Sequence, residues 1–367
     1  MKKVLYGTTA IVAAGALMSS PASAAEKISL GVGGYWQTMV SFVDQDETAG
    51  GTDFQPINFR QEGEVHFKGS TTLDNGLEVA IQIQLEGVTQ GDQIDEHYAS
   101  LSGGWGRIDL GSENSAPYKM GYTAPSAGWG VNSPNFFLFS PQGLQRTSGI
   151  VTQTSDANKI TYYTPRFGGF QLGVSYTPND DARGGDRQTF GLNTDDNPGD
   201  WSDFFSIGAN FDQSFNGIDV AVSGGYERGN LEEDGAVVIF GTTLTADDHE
   251  SWMLGLNVGF AGFTVGGSYY VSNNGIDVAG VSDTDAIVWD VGASYGTGPW
   301  GVSVTYLHSE QELGSFEDEH DHIELGASYS LGAGITAVGS VQLFDESLDS
   351  TDDSDGTAVA LGLKMSF

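Results

Sequence analysis

From Ala358 to Phe367 small or polar residues alternate strictly with apolar ones: Val359, Leu361, Leu363, Met365 and Phe367 on one parity, Ala358, Ala360, Gly362, Lys364 and Ser366 on the other. Side chains of a strand project alternately to its two faces, so a period of two marks a strand whose faces meet different surroundings. The same period recurs along the chain in "ISLGVGGYW", "LEVAIQIQLE", "FQLGVSY", "IDVAVS", "WMLGLNVGF", "FTVGGSYYV", "IVWDVGASY", "WGVSVTY" and "IELGASYSL". With the weaker segments "INFRQEGEVHFKG", "HYASLSG", "WGRIDLGS", "KITYYT", "FFSIGANF" and "ITAVGSVQLF", sixteen strands are expected. None shows a helical period, and no stretch after residue 24 reaches the roughly 20 apolar residues of a membrane helix.

The connections fall into two alternating kinds. Short turns such as "LDNG", "FGG", "FNG" and "LGAG" lie between longer polar links such as "DQDETAGGTDFQ", the region from Ser112 to Ala157 and "PNDDARGGDRQTFGLNTDDNPGD". An even number of strands with short connections at one end and long ones at the other is the organisation of an all-β, antiparallel transmembrane barrel. In hydrocarbon every backbone N–H and C=O must find a partner within the protein, and only closure of the sheet removes its edges. The last strand is therefore expected to pair with "ISLGVGGYW", placing Phe367 in an aromatic girdle at the periplasmic rim.

The remaining composition fits. Lys2 and Lys3 precede an apolar run from Val4 to Met18, and Ala22-Ser23-Ala24 forms an Ala-x-Ala site, so residues 1–24 read as a secretory signal peptide and 25–367 as one barrel domain. An exported chain of this length without cysteine must be held by something other than disulfides. An apolar content of only 39% and 53 glycines suit a water-filled lumen in place of a packed core. A formal charge of −35 excludes nucleic acid as a partner, because phosphates are repelled. A soluble sandwich or β-helix also alternates, but its inner face is bulky and it needs no second kind of connection.

The stretches "FKGSTTLDNGLEVAIQIQLEG", "YASLSGGWGRIDLGSEN" and the terminal "LGLKMSF" resemble the general porins of alphaproteobacterial outer membranes. The resemblance implies a sixteen-stranded, trimeric, water-filled channel, multi-pass in the outer membrane of a Gram-negative bacterium and in contact with its lipid and lipopolysaccharide. It also implies that a long loop after the fifth strand folds back into the barrel and narrows the pore. Here that link carries Tyr118, Tyr122, Trp129, Phe136, Phe137 and Phe139, too aromatic to hang in water. A surface cap or trimer contact is the alternative use of such a loop.

The candidate pore-lining residues follow from parity. If Ile57, Phe59, Val65 and Phe67 face lipid, then Arg60, Glu62, Glu64, His66 and Lys68 face the lumen. Arg107, Asp109 and Lys159 face inward beside outward Ile108, Leu110 and Ile160; Glu113, Lys119 and Arg146 belong to the loop. In the family, wall cations confront loop carboxylates across the narrowest point and set a transverse field. This chain departs from that pattern, because residues 115–155 contain no Asp or Glu, only Lys119 and Arg146. Acids at Glu78, Glu86, Asp219, Asp290 and Glu324 oppose apolar neighbours elsewhere, so the expected preference is for cations.

No cofactor is expected. The acidic links "EQELGSFEDEHD" and "DESLDSTDDSD" offer oxygen ligands of the kind calcium takes, without matching the twelve-residue calcium loop, so solubilising charge is the plainer reading. His320 and His322 stand on one side of a strand, a weak metal signal. No nucleophile or phosphate motif is present, and His308, the one histidine suited to an outward-facing lipid hydrolase, has no serine partner, so no enzymatic activity is expected. The function expected is a channel for ions and small hydrophilic solutes. A solute-specific, for example sugar-binding, channel and a non-conducting adhesin or envelope tether are the rivals.

Overall fold

The computed structural model describes residues 26–47, 51, 53–88, 93–132, 138–140, 149–180, 197–239, 242–277, 284–313, 316–349 and 351–367. The expected signal peptide, Phe136, Phe137 and Arg146 lie outside the described residues. In chain order the elements are β1 (Gly31–Gln45), β2 (Ile57–Thr72), β3 (Glu78–Glu86), β4 (Ile94–Gly103), β5 (Gly106–Ser112), the helix α1 (Ala116–Met120), β6 (Asn158–Tyr163), β7 (Phe170–Asn179), β8 (Trp201–Phe215) and β9 (Ile218–Leu231). They continue as β10 (Ala236–Ile239), β11 (Thr242–Ala246), β12 (His249–Phe260), β13 (Phe263–Ser272), β14 (Ile276–Asp277), β15 (Ala286–Thr297), β16 (Trp300–Leu313), β17 (Phe316–Gly332), β18 (Ile335–Leu348) and β19 (Ser354–Ser366).

All but β10, β11 and β14 join one closed antiparallel barrel, so its sixteen strands are the sixteen expected. Closure is made by β1 against β19, in register from Tyr35 opposite Ser366 to Gln45 opposite Gly356. The terminal residue continues the ladder: the Gly34 N–H donates to the Phe367 carbonyl at 2.9 Å and the Phe367 N–H to the Gly34 carbonyl at 3.1 Å. No edge is left for lipid to meet.

The outer face carries an apolar band including Phe59, Leu110, Leu254, Val304 and Leu361, bounded by two aromatic girdles. Near the short turns stand Trp105 and Tyr162, Phe263 and Tyr295, and Trp300 and Tyr329, with ring centroids 6.2, 4.3 and 4.5 Å apart. At the other border stand Trp252 with Tyr269 at 5.4 Å and Trp289 with Tyr306 at 5.1 Å. The short turns include the two-residue hairpins Asn216-Gly217 and Ala333-Gly334, with φ of 49° and 87°, and 51° and 77°. Positive φ at both central residues matches the right-handed twist of the flanking strands, at some strain for alanine.

The links at the opposite end are more structured than the sequence suggests. The segment after β9 contributes β10 and β11, which pair with each other, and β11 pairs in turn with β14 to make a small separate sheet. The two acidic links are largely strand: β16 runs to Leu313, β17 resumes at Phe316, and β18 runs to Leu348. Their carboxylates therefore alternate across extended hairpins instead of gathering in loops, with Asp345 directly opposite both Asp321 and Asp355.

Candidate functional site

The lumen is not empty. Between β5 and β6 the chain leaves the wall, and its backbone is tied to inward-facing side chains of strand after strand. The Ala116 N–H donates to Ser175 Oγ of β7 at 2.9 Å, and Asn210 of β8 donates to the Met120 carbonyl at 3.3 Å. Gly208 and Gly225 let α1 lie close, for a Cβ on either would stand 2.8 and 2.6 Å from Pro117. Further along, the Tyr122 N–H donates to Ser223 Oγ of β9, the Ala124 N–H to Asp290 of β15 and the Ala127 N–H to Ser303 Oγ of β16, at 2.9, 2.8 and 2.8 Å. Lys364 of β19 donates to the Gly128 carbonyl at 2.9 Å, and Gln45 of β1 exchanges two bonds with the Ser140 backbone.

Two carboxylates anchor this loop. Glu324 of β17, fully buried, accepts from the N–H groups of Trp129 and Gly130 at 2.7 and 2.9 Å, from Ser126 Oγ at 2.6 Å and from Gln342 at 3.1 Å. Asp290 accepts from Ala124 and also from the Ser268 backbone and hydroxyl at 2.7 and 2.8 Å. These donors satisfy the oxygens of both carboxylates within the protein. Apolar contacts between loop and wall fill the gaps: Trp129, Leu138 and Phe139 against Met39, Val338 and Phe344, and Val131 and Val151 against Met253, Tyr270, Val288 and Leu307. Phe139 stacks on Phe344 with centroids 4.0 Å apart.

The loop is stapled at its stem. Lys159 donates to the carbonyls of Glu113, Ser155 and Ala157, which stand at both ends of the excursion. Lys119 pairs with the buried Glu113 and lies over the Tyr98 ring, 4.5 Å from its centroid. Burial works against the charge on Lys119, but Glu113 and then Glu96 outweigh it, and the ammonium titrates above its ordinary range. Asp109 is closed off as well, taking Ser100 Oγ at 2.5 Å and Arg107 at 3.0 Å.

The wall of β2, β3 and β4 is different. Among the described residues the loop meets it on β4, where the Asn114 side chain donates to Glu96 at 2.9 Å and Lys119 lies over Tyr98, and leaves the inner faces of β2 and β3 open. Arg60, Glu62 and Lys68 are half-buried here, and Glu64 is nearly buried beside them. Half of the Arg107 side chain is open to solvent, its guanidinium 4.6 Å above the Tyr163 ring. A register shift between Ile83 and Leu85 turns both Asp95 and Glu96 inward, and carboxylate oxygens of Glu64, Glu86 and Asp95 lie within 4.8 Å of one another.

Tyr35, Gln45, Ser126 and Lys364, none of them singled out in the sequence, belong to this arrangement. Parity alone would have turned Tyr35 and Lys364 inward, but nothing in the sequence says that a loop would reach them. His320 and His322 face inward and are buried, His322 bonded to Gln342 at 3.1 Å and His320 3.3 Å from Glu346. His308 faces outward, 2.8 Å from Asp321.

Comparison with known proteins agrees with this architecture. Residues 7–349 match the family described as Gram-negative porin. A porin of Rhodobacter capsulatus is 25% identical over 341 residues, 84% of this chain and 94% of that protein. The major outer membrane protein P.IB of Neisseria gonorrhoeae is 31% identical over 134 residues, a match spanning 35% of this chain and 36% of that one. Among solved structures, the anion-selective porin from Comamonas acidovorans superposes with a TM-score of 0.63 at 18% identity, over 93% of this chain and all of the other. OmpT of Vibrio cholerae, in its trimer form, gives 0.61 at 12% identity, over 94% of this chain and all of the other. A closed sixteen-strand barrel, greased outside and wet within, thus carries the sequence of its kind, and the chain belongs to the Gram-negative porins, multi-pass proteins of the outer membrane and not enzymes.

Proposed function

We propose that this porin is a general diffusion channel for ions and small hydrophilic solutes, preferring cations, and that it works as a homotrimer in outer-membrane lipid and lipopolysaccharide. One observation carries the cation preference. The bare wall of β2 to β4 presents Glu62, Glu64, Glu78, Glu86, Asp95 and Glu96 against Arg60 and Lys68, and the loop facing it has no acid between residues 115 and 155. Carboxylate-lined passages concentrate cations and exclude anions.

A neutral, sugar-tracking pore would need aromatic rings in line along the passage. Trp129 and Phe139 are turned into the wall, so among the described loop rings Tyr118 and Tyr122 keep open surface. The trimer rests on likeness to relatives such as the Vibrio OmpT trimer form.

Reversal potentials in a potassium chloride gradient across a planar bilayer test the reading. A potassium-to-chloride permeability ratio above one is expected, with conductance linear in salt. A ratio below one rejects the preference, saturation by one solute class rejects the general pore, and absence of current rejects the channel. Slower gel migration of unheated samples tests the trimer.

A further inference from the structure

We propose that Glu62, Tyr35 and Glu64 form a proton-holding relay on the bare wall, which makes the lumen more negative by one charge per chain as pH rises; its electrical readout rests on the channel reading. Tyr35 Oη lies 2.6 Å from Glu62 Oε1 and 2.6 Å from Glu64 Oε1, and Glu64 Oε2 lies 2.6 Å from His66 Nε2. A phenol donates one proton. That proton serves one carboxylate, and the second short contact needs a proton of its own, since two anions cannot share one oxygen's lone pairs at that distance.

The structure assigns the extra proton to Glu62. Glu64 has a partner on each oxygen, Tyr35 Oη on one and His66 Nε2 on the other, and with the His66 proton on Nε2 both serve as donors, which is the environment of an ionised carboxylate. Glu62 Oε2 has no hydrogen-bond partner. The chain of donation therefore runs from the Glu62 acid O–H to Tyr35 Oη, from the Tyr35 O–H to Glu64, and from His66 Nε2–H to the other Glu64 oxygen.

The surroundings resist a second negative charge. Besides Tyr35 on β1, the groups facing the relay are Arg60, His66 and Lys68 on β2, Glu86 on β3, and Asp95 and Glu96 on β4. From β19 Lys364 reaches the same row through Gln37, which stands opposite both Lys364 and Glu62. The loop adds Tyr118, Lys119 and Asp156. Glu64, joined to the same hydroxyl, is the carboxylate nearest Glu62, so the pair as a unit resists carrying two negative charges. When the proton leaves to lumen water, Tyr35 keeps one carboxylate and the other turns into the passage. The two glutamates then titrate as a coupled pair.

The test uses the folded channel in planar bilayers, stepping pH from about 5 to about 9. The potassium-to-chloride permeability ratio of the wild type is expected to rise in one step. Glu62→Gln, whose carboxamide N–H replaces the acid proton toward Tyr35, loses that step and keeps the low-pH ratio. Infrared spectra of the protein in detergent give a readout independent of conduction: at about pH 6, roughly two units above an ordinary glutamate, the protonated-carboxyl band of the wild type is weaker by one carboxyl in Glu62→Gln. A Glu62→Gln channel that keeps the step, a wild type with flat selectivity, or a carboxyl band no weaker in Glu62→Gln overturns the relay. Absence of current with the band difference present defeats the channel reading alone.

Discussion

The two sides of the lumen use the same residue type for opposite ends. On β15 and β17, Asp290 and Glu324 are buried under the loop and encircled by N–H and O–H donors. On β2 to β4, Glu62, Glu86 and Asp95 are half-buried on a wall that the described loop meets on β4, at Glu96 and Tyr98. A carboxylate of the first kind fixes the loop in place and is hidden from the lumen, whereas one of the second kind keeps open surface there. Counting lumenal acids therefore overstates the field a solute meets, and the loop's course decides which of them count.

Replacing the hidden anchor should have the largest effect. Glu324→Ala strands the N–H groups of Trp129 and Gly130 and removes the partner of Ser126, weakening loop attachment by about 3 kcal/mol or more. Faster protease cleavage between residues 113 and 157 and noisier single-channel current are expected, while unheated samples still migrate as folded barrels. A loop as protected as in the wild type would break the contrast between the walls. Phe344→Leu, which removes the ring stacked on Phe139, should loosen the same end of the loop by about 1 kcal/mol, visible as a smaller gain in cleavage rate.

A matched pair of substitutions sharpens the comparison. Asp95→Asn on the bare wall, recorded at about pH 9, should lower the potassium-to-chloride permeability ratio roughly two-fold, as expected for about 0.5 kcal/mol from one accessible charge, and leave cleavage unchanged. Asp290→Asn should do the reverse, altering cleavage and leaving the ratio in place. If both variants change selectivity alike, the loop does not screen its anchors.

The smallest expected effect is that of pH on the loop stem. The folded value of Lys119 is raised, so its pairing with Glu113 contributes fully below about pH 10, the value of an unfolded lysine, and is lost only as pH climbs through the higher folded value. Protease resistance of the stem should stay flat from pH 6 to about pH 10 and fall above that. A loss of resistance below pH 9 would show that the staple rests on another group.

The barrel was legible because its rule is local. In "WMLGLNVGF" each outward side chain has an inward neighbour, and Trp252, Leu254, Leu256, Val258 and Phe260 all emerge on the outer face. A strand between lipid and water repeats this contrast every second residue, so strand number, facing and the final pairing could be read from period and turns. The small sheet of β10, β11 and β14 was not legible, because "AVVI" and "TTLTA" pair within one polar link and β14 comes from the next, so two links must meet before the three strands assemble. The acidic link "EQELGSFEDEHD" likewise concealed strand: its high charge hid the ends of β16 and β17, whose pairing runs on to β18.

The sequence by itself determined that this chain closes into a sixteen-strand barrel with Phe367 in the closing ladder, since an open edge or a broken alternation has no stable place in a membrane. Only the tertiary structure decided which charges matter. Glu324 lies 194 residues from Gly130, and Gln45 lies 95 residues from Ser140. Hydrogen bonds over such separations depend on where the inner loop runs through three dimensions, and no periodicity along the chain encodes that course.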